Sequence, residues 1–320
     1  MTDLLVKNCL LSKNKNPHDI LINGGVIKDI ASKITVDNIP VIDADFHFVT
    51  PPFVDSHFHM DATLSYGLPR VNKSGTLLEG IKLWGELKPN LTADAIKERA
   101  LKFCKWAIAR GTLAIRSHVD VSGQNLVGVE ALLDVRETMK DFIDIQLVAF
   151  PQDGLLRANC LDNLNAALDM GVDVVGGIPH FERTMEEGHE SIRILCEIAE
   201  KRGLLTDLHC DETDDPMSRH VEKLALETTR LGLKGRVAGS HLTSMHSIDN
   251  YYFTKLISLL VEADLNIIAN PLINITIQGR QDSYPKRRGL TRIPEQLNAG
   301  LKVAFGHDCV MDPWYPLGSH

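Results

Sequence analysis

The sequence predicts an α/β protein, most of which is a (β/α)8 TIM barrel, and three features predict it. From Pro51 onward, short apolar runs alternate with amphipathic helical patterns, as in βα units around a parallel sheet. Eight such runs occur, and polar residues follow nearly all of them, where barrel enzymes carry their functional side chains. No glycine-rich phosphate fingerprint follows the first run, which favours the barrel over an open, doubly wound sheet.

The segment before the barrel has the pattern of several short strands, the last of them at 48–50. Asn23-Gly24-Gly25 separates two strand-like runs, and this arrangement is a strong signal for a hairpin. We therefore expect two domains, a small β-sandwich domain at 1–50 and the barrel at 51–320.

The barrel strands and two of its helices can be placed individually. The eight predicted strands are 53–54, 113–115, 145–150, 172–176, 204–208, 236–239, 266–269 and 301–305. A helix is predicted at 92–110 with Thr92 as its N-cap, and another at 186–202 that ends at Gly203. Because only a short segment follows the eighth strand, we expect a C-terminally truncated barrel without its last helix, in a chain that is part of a longer protein.

Composition excludes several classes of protein. The formal net charge is −8, and the short run Lys286-Arg287-Arg288 is too small to suggest a nucleic-acid partner. No apolar stretch approaches the roughly 20 residues of a membrane span, and the N-terminus lacks the features of a signal peptide. The 6 cysteines form no C-x-x-C pair. We expect a cytoplasmic protein with no membrane or nucleic-acid partner.

Potential metal ligands follow three of the predicted strands. His57 and His59 come after the first strand, and residues two apart in an extended segment point the same way. His209 follows the fifth strand and Asp308 the eighth. Three imidazoles and one carboxylate suit Zn²⁺ or Fe²⁺ with one coordination position left for water. No lysine ends the fourth strand, so we expect one divalent metal ion rather than a lysine-bridged pair.

Two more residues are placed to take part in catalysis. Glu212 lies three positions after His209 and could reach the site without binding the metal, which suits a proton shuttle. His241, after the sixth strand, could either polarise the attacking water or bind the metal. The predicted catalytic residues are thus Glu212, His241 and the metal-binding Asp308.

Longer stretches make a family resemblance specific. They are PPFVD at 51–55, SGTL at 74–77, VAFPQ at 148–152, IPHFE at 178–182, HCDE at 209–212, QGR at 278–280, YPKRRG at 284–289, GHD at 306–308 and DPWYPLG at 312–318. Together with His57-Phe58-His59 and His241 they resemble the cytosine deaminases of the amidohydrolase superfamily. The resemblance covers essentially the whole chain.

The resemblance implies a function and a set of residue roles. The metal ligands would be His57, His59, His209 and Asp308. Glu212 would pass a proton to a pyrimidine nitrogen, with His241 beside the activated water. Gln152 would bind the amide-like edge of the base, while Leu77 and Trp314 line the pocket. The reaction would convert cytosine and water to uracil and ammonia, with a small nucleobase-like molecule as substrate. The family also implies a homo-oligomer and a longer C-terminus that completes the β domain.

One position departs from the family pattern. Where cytosine deaminases carry a second aspartate after the metal-binding one, this chain has Cys309. We expect Cys309 to contribute to the substrate pocket and to leave room for a 5-substituent, as in 5-methylcytosine, although a cysteine that only packs is equally compatible. Isoguanine, creatinine-like rings, amino-triazines and other cyclic amidines remain alternative substrates, as does a truncated remnant with no activity.

Three other histidines are not predicted to bind the metal. His180-Phe181-Glu182 matches the H-x-E of the small zinc nucleobase deaminases, but their P-C-x-x-C partner is absent from the sequence. His118 and His246 are interpreted as supporting or structural residues rather than as metal ligands.

Overall fold

A computed structural model describes residues 3–11 and 14–318, which belong to two compact units that divide between Pro52 and Phe53. The first unit is a four-stranded sheet of β1 (Leu4–Leu11), β2 (Asn14–Asn23), β3 (Val26–Ala31) and β4 (Val41–Asp43). The strand order is β3-β2-β1-β4, with only β4 parallel to its neighbour.

The predicted hairpin in this unit is confirmed. Asn23 pairs with Val26 across the turn between β2 and β3, and Gly24 has a φ of 57°, a left-handed conformation that glycine adopts without steric cost. The strand expected at 48–50 is absent, because Phe48 makes only an isolated bridge to Leu10. This unit is a single sheet in the described residues, so the second layer of the sandwich stays a prediction.

The second unit contains eight parallel strands that follow one another in chain order around a nearly closed barrel. They are β5 (Phe53–Phe58), β6 (Thr112–Asp120), β7 (Asp144–Phe150), β8 (Val174–Gly177), β9 (Leu205–Cys210), β10 (Val237–His241), β11 (Asn266–Ala269) and β12 (Lys302–Phe305). Each of the eight predicted runs overlaps one of these strands. The predicted (β/α)8 fold is therefore confirmed.

Backbone hydrogen bonds join the two ends of the eight-stranded sheet. Just after β12, Asp308 N–H donates to the His57 carbonyl at 2.7 Å, and His59 N–H donates to the Asp308 carbonyl at 3.1 Å. These bonds form a parallel bridge between the end of β5 and the segment after β12. The backbone thus holds two of the predicted histidines directly against the predicted carboxylate.

The second unit also contains the helices. They are α1 (Leu77–Leu87), α2 (Ala93–Ala109), α3 (Val127–Met139), α4 (Cys160–Asp169), α5 (Met185–Arg202), α6 (His220–Arg230), α7 (Asn250–Glu262), α8 (Pro271–Ile277) and α9 (Ile293–Asn298). Thr92 caps α2 by accepting from Ala95 N–H, and Gly203 ends α5 with a φ of 69°, as predicted. No helix follows β12 within residues 306–318.

A large apolar core lies between the strands and the helices. In it, Phe103 of α2 stacks on Phe58 of β5, with ring centroids 4.1 Å apart and both side chains fully buried. Burying a phenylalanine side chain contributes about 1.5–3 kcal/mol. This packing anchors the strand whose end carries His57 and His59. Over the described residues, no helix has both the length and the apolar character needed to cross a membrane.

Candidate metal centre and active site

The four predicted metal ligands lie together at the carboxyl ends of the barrel strands. The potential ligand atoms of His57, His59, His209 and Asp308 are all within 4.8 Å of one another, and all four residues are buried. His57 is on β5, His209 is on β9, His59 directly follows β5, and Asp308 lies three residues after β12. Parallel strands bring their carboxyl ends to one mouth of the barrel, so residues far apart in sequence converge there.

The spacing of these atoms fits a metal ion. His57 Nε2 and His59 Nε2 lie 3.1 and 3.3 Å from Asp308 Oδ1, and the Nε2 atoms of His59 and His209 are 3.0 Å apart. Ligand atoms about 2.0–2.2 Å from one cation would be separated by roughly 2.8–3.6 Å, for angles at the cation between 90° and the tetrahedral value. His57 Nε2 and Asp308 Oδ1 have no hydrogen-bond partner among the described residues, although both are buried. A divalent cation would satisfy these atoms.

The protonation states of His209 and Asp308 also suit metal binding. Burial and the neighbouring imidazoles hold the pKa of His209 well below its usual value, so its ring is neutral and keeps a lone pair. Burial acts to raise the pKa of Asp308, but the interaction with the adjacent His57 and His59 rings outweighs it and holds that pKa well below the usual range. Asp308 is therefore a carboxylate.

Glu212 is the predicted proton shuttle, and it lies in the same cleft. Its side chain is buried, and burial together with the charge of Asp308 raises its pKa well above the usual value. Asn274 Nδ2 donates to Glu212 Oε1 at 3.0 Å, while His241 Nδ1 lies 3.1 Å from the same oxygen. Neither contact involves the second carboxyl oxygen, Oε2.

His241 is held beside Glu212 by an unusual backbone and two asparagines. Its φ is 72°, in the left-handed region that few non-glycine residues adopt and that recurs at functional sites. Asn270 Nδ2 lies 3.3 Å from each ring nitrogen, and Asn274 Nδ2 is 3.2 Å from Nδ1. Burial lowers the pKa of His241 well below its usual value, so the ring is neutral.

The two asparagines are site residues that the sequence interpretation missed. Asn270 directly follows β11, so the rule that barrel enzymes place functional side chains after strands could have identified it. Asn274 lies one turn further, on α8, and no motif distinguishes it. His118, interpreted as a supporting residue, lies against His57 with ring centroids 4.1 Å apart, whereas His246 is exposed.

The predicted substrate residues all line one narrow cleft over the ligand cluster. Its walls are formed by the predicted Leu77, Gln152, Cys309 and Trp314, by His59, His209, Glu212 and Asp308, and by Ile178, Ile273 and Ile277. A larger cavity of about 700 Å³ opens at the opposite end of the barrel, and none of these residues lines it.

One wall of the cleft is apolar. Cys309, Trp314, Ile273 and Ile277 belong to a hydrophobic cluster at the barrel mouth that is separate from the main core. Burial and the charges of Asp308 and Asp312 raise the pKa of the Cys309 thiol well above its usual value. Cys309 is therefore a neutral, weakly polar part of the wall and is not activated as a nucleophile.

A glycine on α1 makes room for the indole of this wall. A Cβ added to Gly80 would come within 2.2 Å of a Trp314 ring atom. The absence of a side chain at this position therefore sets how closely Trp314 packs on α1 at the edge of the cleft.

Fold and site together define a metal-binding (β/α)8 hydrolase, and comparison with known proteins identifies its family. The model of the amidohydrolase family matches residues 40–320. The chain belongs to the amidohydrolase family, whose members are hydrolases that act on carbon–nitrogen bonds. The predicted membership of this superfamily is thus confirmed.

Three relatives illustrate the range of the family. The crystal structure of 5-methylcytosine deaminase from Klebsiella pneumoniae with 5-fluorocytosine has a TM-score of 0.95 and 42% identity, covering 98% of this chain and 77% of that one. N-isopropylammelide isopropyl amidohydrolase of Pseudomonas sp. is 30% identical, over 99% of this chain and 77% of its own. Pterin deaminase of Rhizobium rhizogenes is 29% identical, over 94% of this chain and 69% of its own.

Proposed function

We propose that this protein hydrolytically deaminates cytosine or a 5-substituted cytosine, giving the corresponding uracil and ammonia. The observation that carries the proposal is the position of Glu212, a buried acid that lines the cleft beside a cluster of four metal ligands. Hydrolysis of an amidine-like ring requires a proton donor next to an activated water. The similarity to a 5-methylcytosine deaminase at 42% identity supports the pyrimidine as substrate.

His57, His59, His209 and Asp308 would hold one divalent cation, Fe²⁺ or Zn²⁺. When bound, such an ion lowers the pKa of a coordinated water to about 7 and so supplies a nucleophile at neutral pH. The neutral His241 ring, which contacts Asn270 and Asn274, would hydrogen-bond the attacking water.

Glu212 would transfer protons to the ring nitrogen and to the leaving amino group. Its Oε2 proton goes to the ring nitrogen next to the carbon under attack, which makes that carbon more electrophilic. The resulting carboxylate then takes one proton from the attacking water and passes it to the amino group, which leaves as ammonia. The second water proton returns to Glu212 as the carbonyl forms, and the acid is restored. Asn274 holds Oε1 throughout by its 3.0 Å hydrogen bond and so keeps Oε2 available.

The remaining cleft residues would orient the ring. The Gln152 side chain carries one carbonyl and one NH2 group, which match the acceptor and donor on the amide-like edge of the base. Leu77 and Trp314 would cover the ring faces. Cys309, in the apolar wall, would contact the 5-position and accept a methyl group there.

The test is ammonia release by the metal-replete protein from cytosine, 5-methylcytosine, isoguanine and creatinine, with Glu212→Gln as the matched control. We expect turnover of the two pyrimidines and a kcat about 10²–10⁴-fold lower in the control, which keeps the side-chain shape but cannot donate an acidic proton. If only isoguanine or creatinine is turned over, that compound replaces the pyrimidine as the proposed substrate. If every ring is inert although one metal is bound per chain, the proposed deaminase activity is wrong.

A further inference from the structure

A chain of hydrogen bonds runs from the ligand cluster into the interior of the barrel. His57 Nδ1 lies 3.0 Å from Ser240 Oγ, on the side of the ring opposite the cluster. Ser240 Oγ donates to Asp207 Oδ1 at 2.7 Å. Asp207 Oδ2 in turn accepts from Arg116 Nη1 at 2.9 Å, and Arg116 Nε donates to Gln146 Oε1 at 2.8 Å. The chain thus links side chains of five different strands.

The direction of these bonds fixes the protonation of the His57 ring. The Arg116 guanidinium can only donate, so it holds Asp207 as an accepting carboxylate. Since Asp207 can only accept, the single hydroxyl proton of Ser240 must point to it. Ser240 Oγ can therefore only accept from His57, so the ring proton is on Nδ1. The lone pair of His57 is then on Nε2, which faces Asp308 at 3.1 Å.

We propose that Ser240, oriented by Asp207 and Arg116, is a positioning residue for the metal centre that fixes His57 in its metal-binding tautomer. His57, Ser240 and Asp207 are fully buried. If one of them is substituted, bulk water therefore cannot restore the hydrogen bond that its neighbour loses. Residues that accept a hydrogen bond from the second ring nitrogen of a metal-binding histidine typically contribute about 10–100-fold to metal affinity. The inference rests on the proposed metal site but not on the identity of the substrate.

The same region offers a rival arrangement, a second metal ion. Potential ligand atoms of His57, His118 and Asp207 lie close together, and both ring nitrogens of His118 lack a partner in the described structure. However, Ser240 and Arg116 already occupy the two Asp207 oxygens. A cation there would have to displace them beside a guanidinium. We therefore expect one metal ion per chain.

The test measures metal affinity by competition with a chelator, on the whole protein, for the wild type and Ser240→Ala. Thr206→Val is the matched control, because it removes another buried hydroxyl, which has no partner in the described structure, from neighbouring β9. We expect 10–100-fold weaker metal binding in Ser240→Ala, less than 2-fold change in the control, and restoration of turnover by excess metal. Ser240→Thr, which keeps the hydroxyl, should restore affinity.

Wild-type affinity in Ser240→Ala would overturn the proposal, as would an equal loss in Thr206→Val or two metal ions per chain. Because these results concern metal binding alone, they remain interpretable if the proposed substrate is wrong. Neutron diffraction of the metal-replete wild type tests the proposal without any substitution. Deuterium on Ser240 Oγ should point to Asp207, and deuterium directed at His57 Nδ1 would contradict the assigned tautomer.

Discussion

The substitution Cys309→Asp tests whether the apolar wall selects for a 5-substituted pyrimidine. It restores the aspartate expected from the cytosine deaminases at a position that is 3% exposed and lines the cleft. A carboxyl group is larger and more polar than a thiol, and here it would lie beside Asp308 and Asp312. The room and the apolar contact for a 5-methyl group would both be lost.

The expected magnitude follows from the size of the lost contact. Burial of one methyl or methylene group contributes about 0.8 kcal/mol, and one such group changes discrimination in a tight pocket by about 1–3 kcal/mol. We therefore expect the ratio of kcat/KM for 5-methylcytosine to that for cytosine to fall roughly 10–100-fold. The metal content should remain unchanged, because Cys309 is not among the four ligands.

The assay is steady-state ammonia release with the two pyrimidines, for the wild type, Cys309→Asp and Cys309→Ser. The serine variant is the matched control, since it has nearly the size of cysteine and leaves the space open. It should keep the wild-type ratio within a few-fold. If the aspartate variant also keeps that ratio, or if the wild type strongly prefers cytosine, Cys309 does not determine specificity.

Three further predictions follow from the same structure. Glu212→Gln should lower kcat by about 10²–10⁴-fold, with metal content unchanged, because the acid donor is lost. Gly80→Ala should raise KM by displacing Trp314, whereas Gly85→Ala on the same helix should not, since its Cβ would meet no atom within 4 Å; equal effects would refute the steric argument. Burial raises the pKa of Asp312 to about 7, above an unfolded value of about 3.9, so its ionisation costs stability. The stability contributed by protonated Asp312 should therefore be lost between about pH 4 and pH 7, so the Tm of the wild type should drop over this range relative to that of Asp312→Asn; a difference in Tm that does not change with pH would contradict the shift.

The ligand set could be predicted from sequence because two local rules apply to it. Residues two apart on a strand share a face, which pairs His57 with His59, and parallel strands end at one mouth, which adds His209 and Asp308. The structure brings the atoms of all four within 4.8 Å of one another. The eight strands were predictable for a similar reason, because buried parallel strands are nearly continuous apolar runs.

The supporting residues could not be predicted because they depend on packing in three dimensions. Asn274 reaches Glu212 only because α8 folds over the barrel mouth, and nothing in its sequence surroundings indicates this. Ser240 and Asp207 are ordinary strand residues in sequence, and their role emerges only from the register of β9 and β10 inside the barrel. Gly80 acts through a contact with Trp314, which lies far away in the chain.

The most direct test of the central claim is ammonia release from 5-methylcytosine and cytosine before and after removal of the metal by a chelator. If the site is a metal-dependent pyrimidine deaminase, activity should be present in the metal-replete protein and absent after removal. It should return when one equivalent of Fe²⁺ or Zn²⁺ is added. Turnover that persists in the metal-free protein, or a metal-replete protein that releases no ammonia from either pyrimidine, would contradict it.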